Sequence, residues 1–368
     1  MRIAPLTERV IGERLGHAIF DRRGRVLLAA GVEITSHYVE VLRRRGYLSV
    51  PLHDPLAPDA VPADVIRNEV RIGATAAMRS ALRQAGDGGL VATEHLLKVV
   101  DQIMADTSEN PDLAYNVACL RSLRDGVFFH SVNVCVYSLI IAAPLALDRP
   151  ELRDLGIGAL LHDIGKIYYL DLVNKQGPLE PDEQATIQRH AQEGFDLLRR
   201  QRGLSLLSAH MAFQHHERLD GSGYPRGLRG DQIHLWAQAV SVADVYDTIT
   251  ADRTYGKGLP PHAAMAAVRA LADAGQLSPQ FVRQLMLRVA AYPEGTILVL
   301  QSGEIAVVVA QSTGGSDRPR IRIVADAKLR LVPSEERLVD PRVPETAVRA
   351  VLPDYPSRLR RLLAEVAI

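Results

Sequence analysis

Seven candidate ligands for divalent cations, five of the histidines and two of the aspartates, lie between residues 130 and 244, and two short stretches carry most of them. The first reads His162-Asp163-Ile164-Gly165-Lys166. The second reads His215-His216-Glu217-Arg218-Leu219-Asp220-Gly221-Ser222-Gly223-Tyr224-Pro225. Imidazole nitrogen mixed with carboxylate oxygen suits Mn, Fe, Co, Ni or Zn, and suits calcium less, because calcium prefers oxygen alone. Cations held this way can promote hydrolysis of a phosphoester.

Spacing indicates how these groups could meet. His162 and Asp163 follow the apolar run 155–161 and precede Gly165, which is expected to stop the helix. Successive helical side chains point about 100° apart, so imidazole and carboxylate can converge on a cavity at a helix end but not along one line. The two oxygens of Asp163 can bridge two cations, and Lys166, one turn past His162, can hold a phosphate oxygen. His190, expected on a helix over 181–199, is a further nitrogen source. In the loop 220–225 two glycines allow positive φ and close backbone approach, and Tyr224 sets a flat ring beside a rigid proline. That ring could stack on a nucleobase or be a buried turn residue.

With these motifs in hand, the chain resembles the HD-GYP family, a branch of the HD superfamily of metal-dependent phosphohydrolases. The resemblance covers residues 125–256. His162-Asp163-Ile-Gly-Lys166 matches the HD motif; Lys175-Gln-Gly-Pro-Leu179 with Glu183 and His190 matches the segment that follows. The stretch from His215 to Pro225 matches the motif that names the family, and Val242-Ala-Asp244 with Arg253 matches its closing helix.

What the resemblance implies is an all-helical catalytic domain hydrolysing cyclic di-GMP. By analogy His130, His162, Asp163 and Asp244 bind one metal, and Asp163, His190, His215 and His216 bind the other. Asp163 bridges. The cations would share a hydroxide for in-line attack, with Lys166 and Arg253 balancing charge on the phosphoryl oxygens and Tyr224 contacting the substrate. Linear pGpG is the first expected product, and GMP that of a second cut. Two departures bear on this. Gly126 replaces a Glu that serves a third metal in some members, which favours two divalent ions; Arg253-Thr254-Tyr255 replaces Arg-Pro-Tyr, and Arg253 is equally able to cap the helix 241–251. A catalytically silent cyclic-dinucleotide or protein-binding module, and an HD phosphohydrolase for another nucleotide, are the alternatives.

The elements that must position this site read as a mainly α chain with small β-containing modules at both ends. Residues 1–55 are expected to form an α+β module with a hairpin around Gly24 and a helix over 36–45 stopped by Gly46. A Pro- and Asp-rich linker follows, then two helices over 63–85 and 90–106, so that 56–110 reads as linker and connector. Residues 111–291 form the helical catalytic domain. Residues 292–368 read as a β-rich extension, with a hairpin over 296–309, strands near 320–324 and 329–332, and an end helix over 357–367. Val132, Val134 and Val136 alternate and are β-branched, which by propensity alone favours a strand; the resemblance favours a helix.

Lys plus Arg (43) equals Asp plus Glu (43), which removes the footprint of a nucleic-acid polymer or acidic-membrane binder. Cys119 and Cys135 are the only cysteines, without CxxC spacing, and Met1 does not open a basic-then-apolar stretch, so a cytoplasmic location is expected. The apolar stretch 132–147 is interrupted and shorter than the roughly 20 residues of a membrane span; it reads as core. A second copy of the chain or a signalling protein is the expected macromolecular partner. His17, His37, His53, His95, His234 and His262 read as ordinary core or surface histidines, and His210 as facing away from His215 and His216.

Overall fold

The structure, a computed structural model, describes the chain apart from residues 22–24, 61–63, 109–125, 176, 252–257, 313–314, 344 and 367–368. It divides into two units, one gathering Met1–Val65 and Leu287–Ile368, the other Ile66–Pro111 and Asp125–Met286.

In the first unit β1 (Arg2–Pro5), β2 (Ile19–Phe20), β3 (Val26–Leu28), α1 (Ser36–Arg44) and β4 (Ser49–Leu52) enclose a small core centred on Leu15, Ile34 and Leu42. β1 pairs antiparallel with β4, and β2 with β3. The Thr35 hydroxyl accepts from Tyr38 N and starts α1, and Gly46, at φ +86°, follows its end as expected.

The second unit is helical. It contains α2 (Asn68–Gly86), α3 (Thr93–Ser108), α4 (Gly126–Ala142), α5 (Arg149–Leu161), α6 (Leu170–Val173), α7 (Pro181–Gln188), α8 (His190–Leu198), α9 (Leu206–Gln214), α10 (Leu235–Thr250), α11 (Pro261–Asp273) and all but the last two residues of α12 (Pro279–Arg288). Val70, Ala74, Ala77, Met78, Ala81 and Ala85 form the buried stripe of α2, the helical period that turns one face to a neighbour. Residues of α4 from Ser131 onward are buried on every side. That enclosure, by α2, α3, α5 and α10, outweighs the strand propensity of Val132, Val134 and Val136, because a fully surrounded helix can be apolar all round.

One helical stretch among the described residues, Val127–Leu145, is long and apolar enough to cross a membrane, but 67% of its most apolar window is buried within the fold. Asp148 and Glu151 form a reciprocal cap that fixes the start of α5. The helix expected over 181–199 is two helices, α7 and α8, parted at Arg189.

The remaining part of the first unit is a five-stranded antiparallel sheet in the order β8-β7-β6-β5-β9, built from β5 (Ile297–Leu300), β6 (Ile305–Ala310), β7 (Arg320–Ala325), β8 (Leu331–Leu338) and β9 (Val348–Leu352). α13 (Ser357–Val366) follows. One cluster joins the sheet to Tyr355, Leu359 and the linker residues Ala57 and Ala60; the other joins Leu298, Ala306, Val308, Ile321 and Ile323. The segment read as a linker is therefore packed, and Asp59 within it pairs with Arg322 at 2.6 Å. Contacts accordingly group the two terminal modules together, and place α2 and α3 with the helical unit.

Candidate metal centre

Five elements deliver the seven ligand candidates to one place. His130 comes from the second turn of α4, His162 and Asp163 from the end of α5, and His190 from the start of α8. His215 caps the end of α9 with His216 next to it, and Asp244 lies in α10. The two oxygens of Asp163 face different imidazoles. Oδ2 lies 3.6 Å from His130 Nε2 and 3.4 Å from His162 Nε2; Oδ1 lies 3.3 Å from His190 Nε2 and 3.5 Å from His215 Nε2. Asp244 Oδ1 is 3.2 Å from His130 Nε2, and its Oδ2 is 3.7 Å from His216 Nδ1.

Backbone carbonyls set the ring orientations. His162 Nδ1 faces Ala159 O at 2.8 Å, His190 Nδ1 faces Ile187 O at 2.6 Å, and His215 Nδ1 faces Ala212 O at 2.9 Å. A carbonyl only accepts, so each Nδ1 donates and each Nε2 is turned to the interior, the orientation of a metal-ligating imidazole.

His162 Nε2 and Asp163 Oδ1 are buried without a hydrogen-bond partner. Buried polar atoms are rarely left so, and here they converge with other donors: Asp163, His190, His215 and His216 form one group, and His130, His162 and Asp244 another, with ligand atoms within 4.8 Å inside each. This donor set fits divalent metal.

The protonation states of His215, His216 and the two carboxyls agree with that use. Burial, then the neighbouring His162 and His190, lowers His215 to about 4, and burial with His215 lowers His216 well below its usual value. Both rings are neutral. Burial would raise Asp163 and Asp244, but Lys166 beside the first and the hydrogen bond from His130 to the second hold both carboxyls well below the usual range. Burial would also lower His130, yet its hydrogen bonds to Asp244 and Asp247 raise it to about 9. Positive charge is favoured between these carboxylates.

Around the cluster, Lys166 Nζ donates to Asp163 Oδ2 at 2.5 Å with part of its side chain open to solvent. The Tyr224 ring packs on His216, centroids 4.6 Å apart, and lies 6.3 Å from the His190 ring. Arg253 lies outside the described residues. His210 packs against Phe195 and Phe213 rather than joining the ligands.

Two glycine readings change. Gly165 does not stop α5 through positive φ; a Cβ there would sit 2.1 Å from His190 O, so its bareness lets the Asp163 turn touch the start of α8. In the 220–225 loop the roles divide. Gly221 takes φ +82°, whereas Gly223 is bare because a Cβ would lie 2.4 Å from His216 O.

Two carboxylates that received no role from the sequence support this shell. Glu217, buried, accepts from Arg226 N at 2.8 Å and Leu228 N at 2.9 Å, closing the loop over Tyr224-Pro225. Asp247 Oδ2 accepts from His130 Nδ1 at 2.8 Å. Its position, one turn past Asp244 on the same helix face, is the signal that could have found it.

A profile of the HD domain matches residues 100–280. The cyclic di-GMP phosphodiesterase PA4108 of Pseudomonas aeruginosa is 36% identical over 79% of this chain and 71% of that protein. The 3′3′-cGAMP-specific phosphodiesterase 3 of Vibrio cholerae is 39% identical over 37% of this chain and 30% of that protein. The cyclic di-GMP phosphodiesterase response regulator RpfG of Xanthomonas campestris pv. campestris is 42% identical over 34% of each chain. The chain thus spans about a third of the length of the latter two relatives.

Proposed function

This chain belongs to the HD-GYP family of HD-domain proteins, and on that basis we propose that it is a metal-dependent phosphodiesterase that opens cyclic di-GMP to linear pGpG, with GMP the product of a second cut. The observation that carries this reading is the split orientation of Asp163: one oxygen faces His130 and His162, the other His190 and His215. A carboxylate presented this way serves two cations.

Two ions are the expected complement, since Gly126, one turn before His130, brings no carboxylate for a third. Their identity lies among Fe, Mn, Co, Ni and Zn. When bound, such a pair supplies Lewis acidity towards a phosphate oxygen and a water of lowered pKa.

The chain's own groups do the rest. The His162, His190 and His215 rings, pinned through Nδ1, keep Nε2 aimed at the centre. Lys166, on the open side of Asp163, is placed to turn its ammonium from that carboxylate to a phosphoryl oxygen as negative charge grows there. The Tyr224 ring, seated on His216, lines the approach. Water adds across one P–O3′ bond, with the ribose 3′-oxygen leaving as a hydroxyl.

Relatives named for cyclic di-GMP and for 3′3′-cGAMP support a cyclic dinucleotide as the substrate class. The test is to incubate metal-loaded protein with cyclic di-GMP, 3′3′-cGAMP and a nucleotide monoester and to separate the products. Ring-opened products from a cyclic dinucleotide, with the monoester intact, are expected. Equal turnover of the monoester would shift the reading to a broader HD phosphohydrolase, and binding without turnover to a signalling module.

A further inference from the structure

We propose that Arg71 is a positioning residue of the metal centre, acting through Asn133 and Asp247 on His130, so that α2 is a working part of the site although it carries no ligand. The proposal rests on the reading of His130 as a metal ligand.

The connection is continuous. Arg71 Nη1 donates to Asn133 Oδ1 at 2.7 Å, Asn133 Nδ2 donates to Asp247 Oδ1 at 3.0 Å, and Asp247 Oδ2 accepts from His130 Nδ1 at 2.8 Å. His130 Nε2 then points at Asp244 and Asp163. Arg71, Asn133 and Asp247 are all buried.

A guanidinium keeps its charge when buried and must be met by acceptors. Here its donor fixes which way the Asn133 amide faces, oxygen towards Arg71 and nitrogen towards Asp247. The amide in turn occupies one oxygen of Asp247 and leaves the other aligned with the imidazole. Such a carboxylate–histidine pair sets the tautomer and raises the basicity of the ligating nitrogen. Bonds in series at low dielectric also polarise one another. A loss at Arg71 is therefore felt at His130 Nε2.

α2 lies ahead of the region matched by the HD profile, residues 100–280, yet it meets the site at further points. Arg79 sits over the Phe128 ring at 5.0 Å, two residues before His130. Gly86 backs onto Ile167, where a Cβ would lie 3.1 Å from Ile167 Cγ1, next to Lys166. One helix thus braces both the His130 side and the Lys166 side of the cluster.

The experiment is Mn2+ binding to the metal-stripped full chain, by competition with a chromophoric chelator, for wild type, Arg71→Met, Asn133→Leu, the double variant and Arg71→Lys. Each of the first two is expected to weaken one of two bound ions about 10-fold or more and leave the other unchanged. The double variant should be no weaker than the worse single, because links in one series do not add. Arg71→Lys, which returns a donor to Asn133, should recover most of the loss.

Far-UV circular dichroism checks the fold of each metal-free variant. If one single variant fails that check the other, on a different helix, decides. Folded single variants that hold both ions as tightly as wild type, losses that multiply in the double variant, or no recovery in Arg71→Lys would overturn the proposal. Wild type that takes up no Mn2+ would instead overturn the metal-centre reading, so the two failures are distinct.

Discussion

The Tyr224 ring lies on the His216 ring, with centroids 4.6 Å apart and planes 30° from parallel. Burial, then the charges of Asp163 and Asp244, pushes its hydroxyl above the usual tyrosine range, so it stays protonated. The ring braces a ligand candidate while bordering the approach to it. Tyr224→Phe should therefore keep metal and turnover near wild type. Tyr224→Ala should weaken metal binding about threefold to tenfold, the worth of one aromatic contact. Metal titration and steady-state rates on both variants check this; a Phe variant as impaired as Ala would give the hydroxyl the main role.

Lys166 reaches Asp163 without being able to ligate a cation as an ammonium. Lys166→Ala is expected to retain both metals and lose about 100-fold in kcat, the usual scale for one charge-stabilising donor. Metal analysis beside single-turnover rates separates the two effects. Loss of metal with rate would make Lys166 structural.

Gly165 is a packing requirement more than a helix stop. Gly165→Ala would set a methyl against the His190 carbonyl, and the stability of the metal-free protein should fall by about 3 kcal/mol, the upper end for an overpacked site. Urea unfolding measures it, and a wild-type midpoint would refute the close approach.

Histidine burial fixes the pH response of the chelated protein. Burial is the largest cause lowering His210, His215, His216, His234 and His262. The unfolded chain, with histidines near 6.5, then binds more protons than the native one just below that pH. Stability should decline as pH falls from about 6.5 towards 4. His130, raised to about 9, acts oppositely: its contribution is complete below about 6.5 and is lost as pH rises through 9. Urea midpoints at pH 5, 7 and 9 should be highest at 7. A midpoint unchanged from 7 to 5 would contradict the neutral, buried rings.

Histidine is rare enough that the pairs His162-Asp163 and His215-His216 stand out, whereas His130 and Asp244 joined the candidates only through the family resemblance. A helix with strong punctuation was legible as well, since Thr35 and Gly46 bound α1, whereas the Asp148 cap that starts α5 was not picked out. What composition could not reveal was contact between distant segments. Ala57 and Ala60 look like linker until they are seen against β5 and β6, and nothing local marks Arg71 as a neighbour of Asn133. β1, β4 and β9 escaped because short strands depend on a partner far along the chain, as Arg2 depends on Leu52 and Ile297 on Leu352.

The central claim is that Asp163 joins two metals into one phosphodiesterase centre. The most direct measurement is metal stoichiometry of anaerobically purified wild type and Asp163→Ala, with chromatography of cyclic di-GMP incubated with each. Close to two metals per chain and release of pGpG or GMP by wild type, with metal and products both lost in Asp163→Ala, are predicted. Full metal content or undiminished hydrolysis in Asp163→Ala would contradict it.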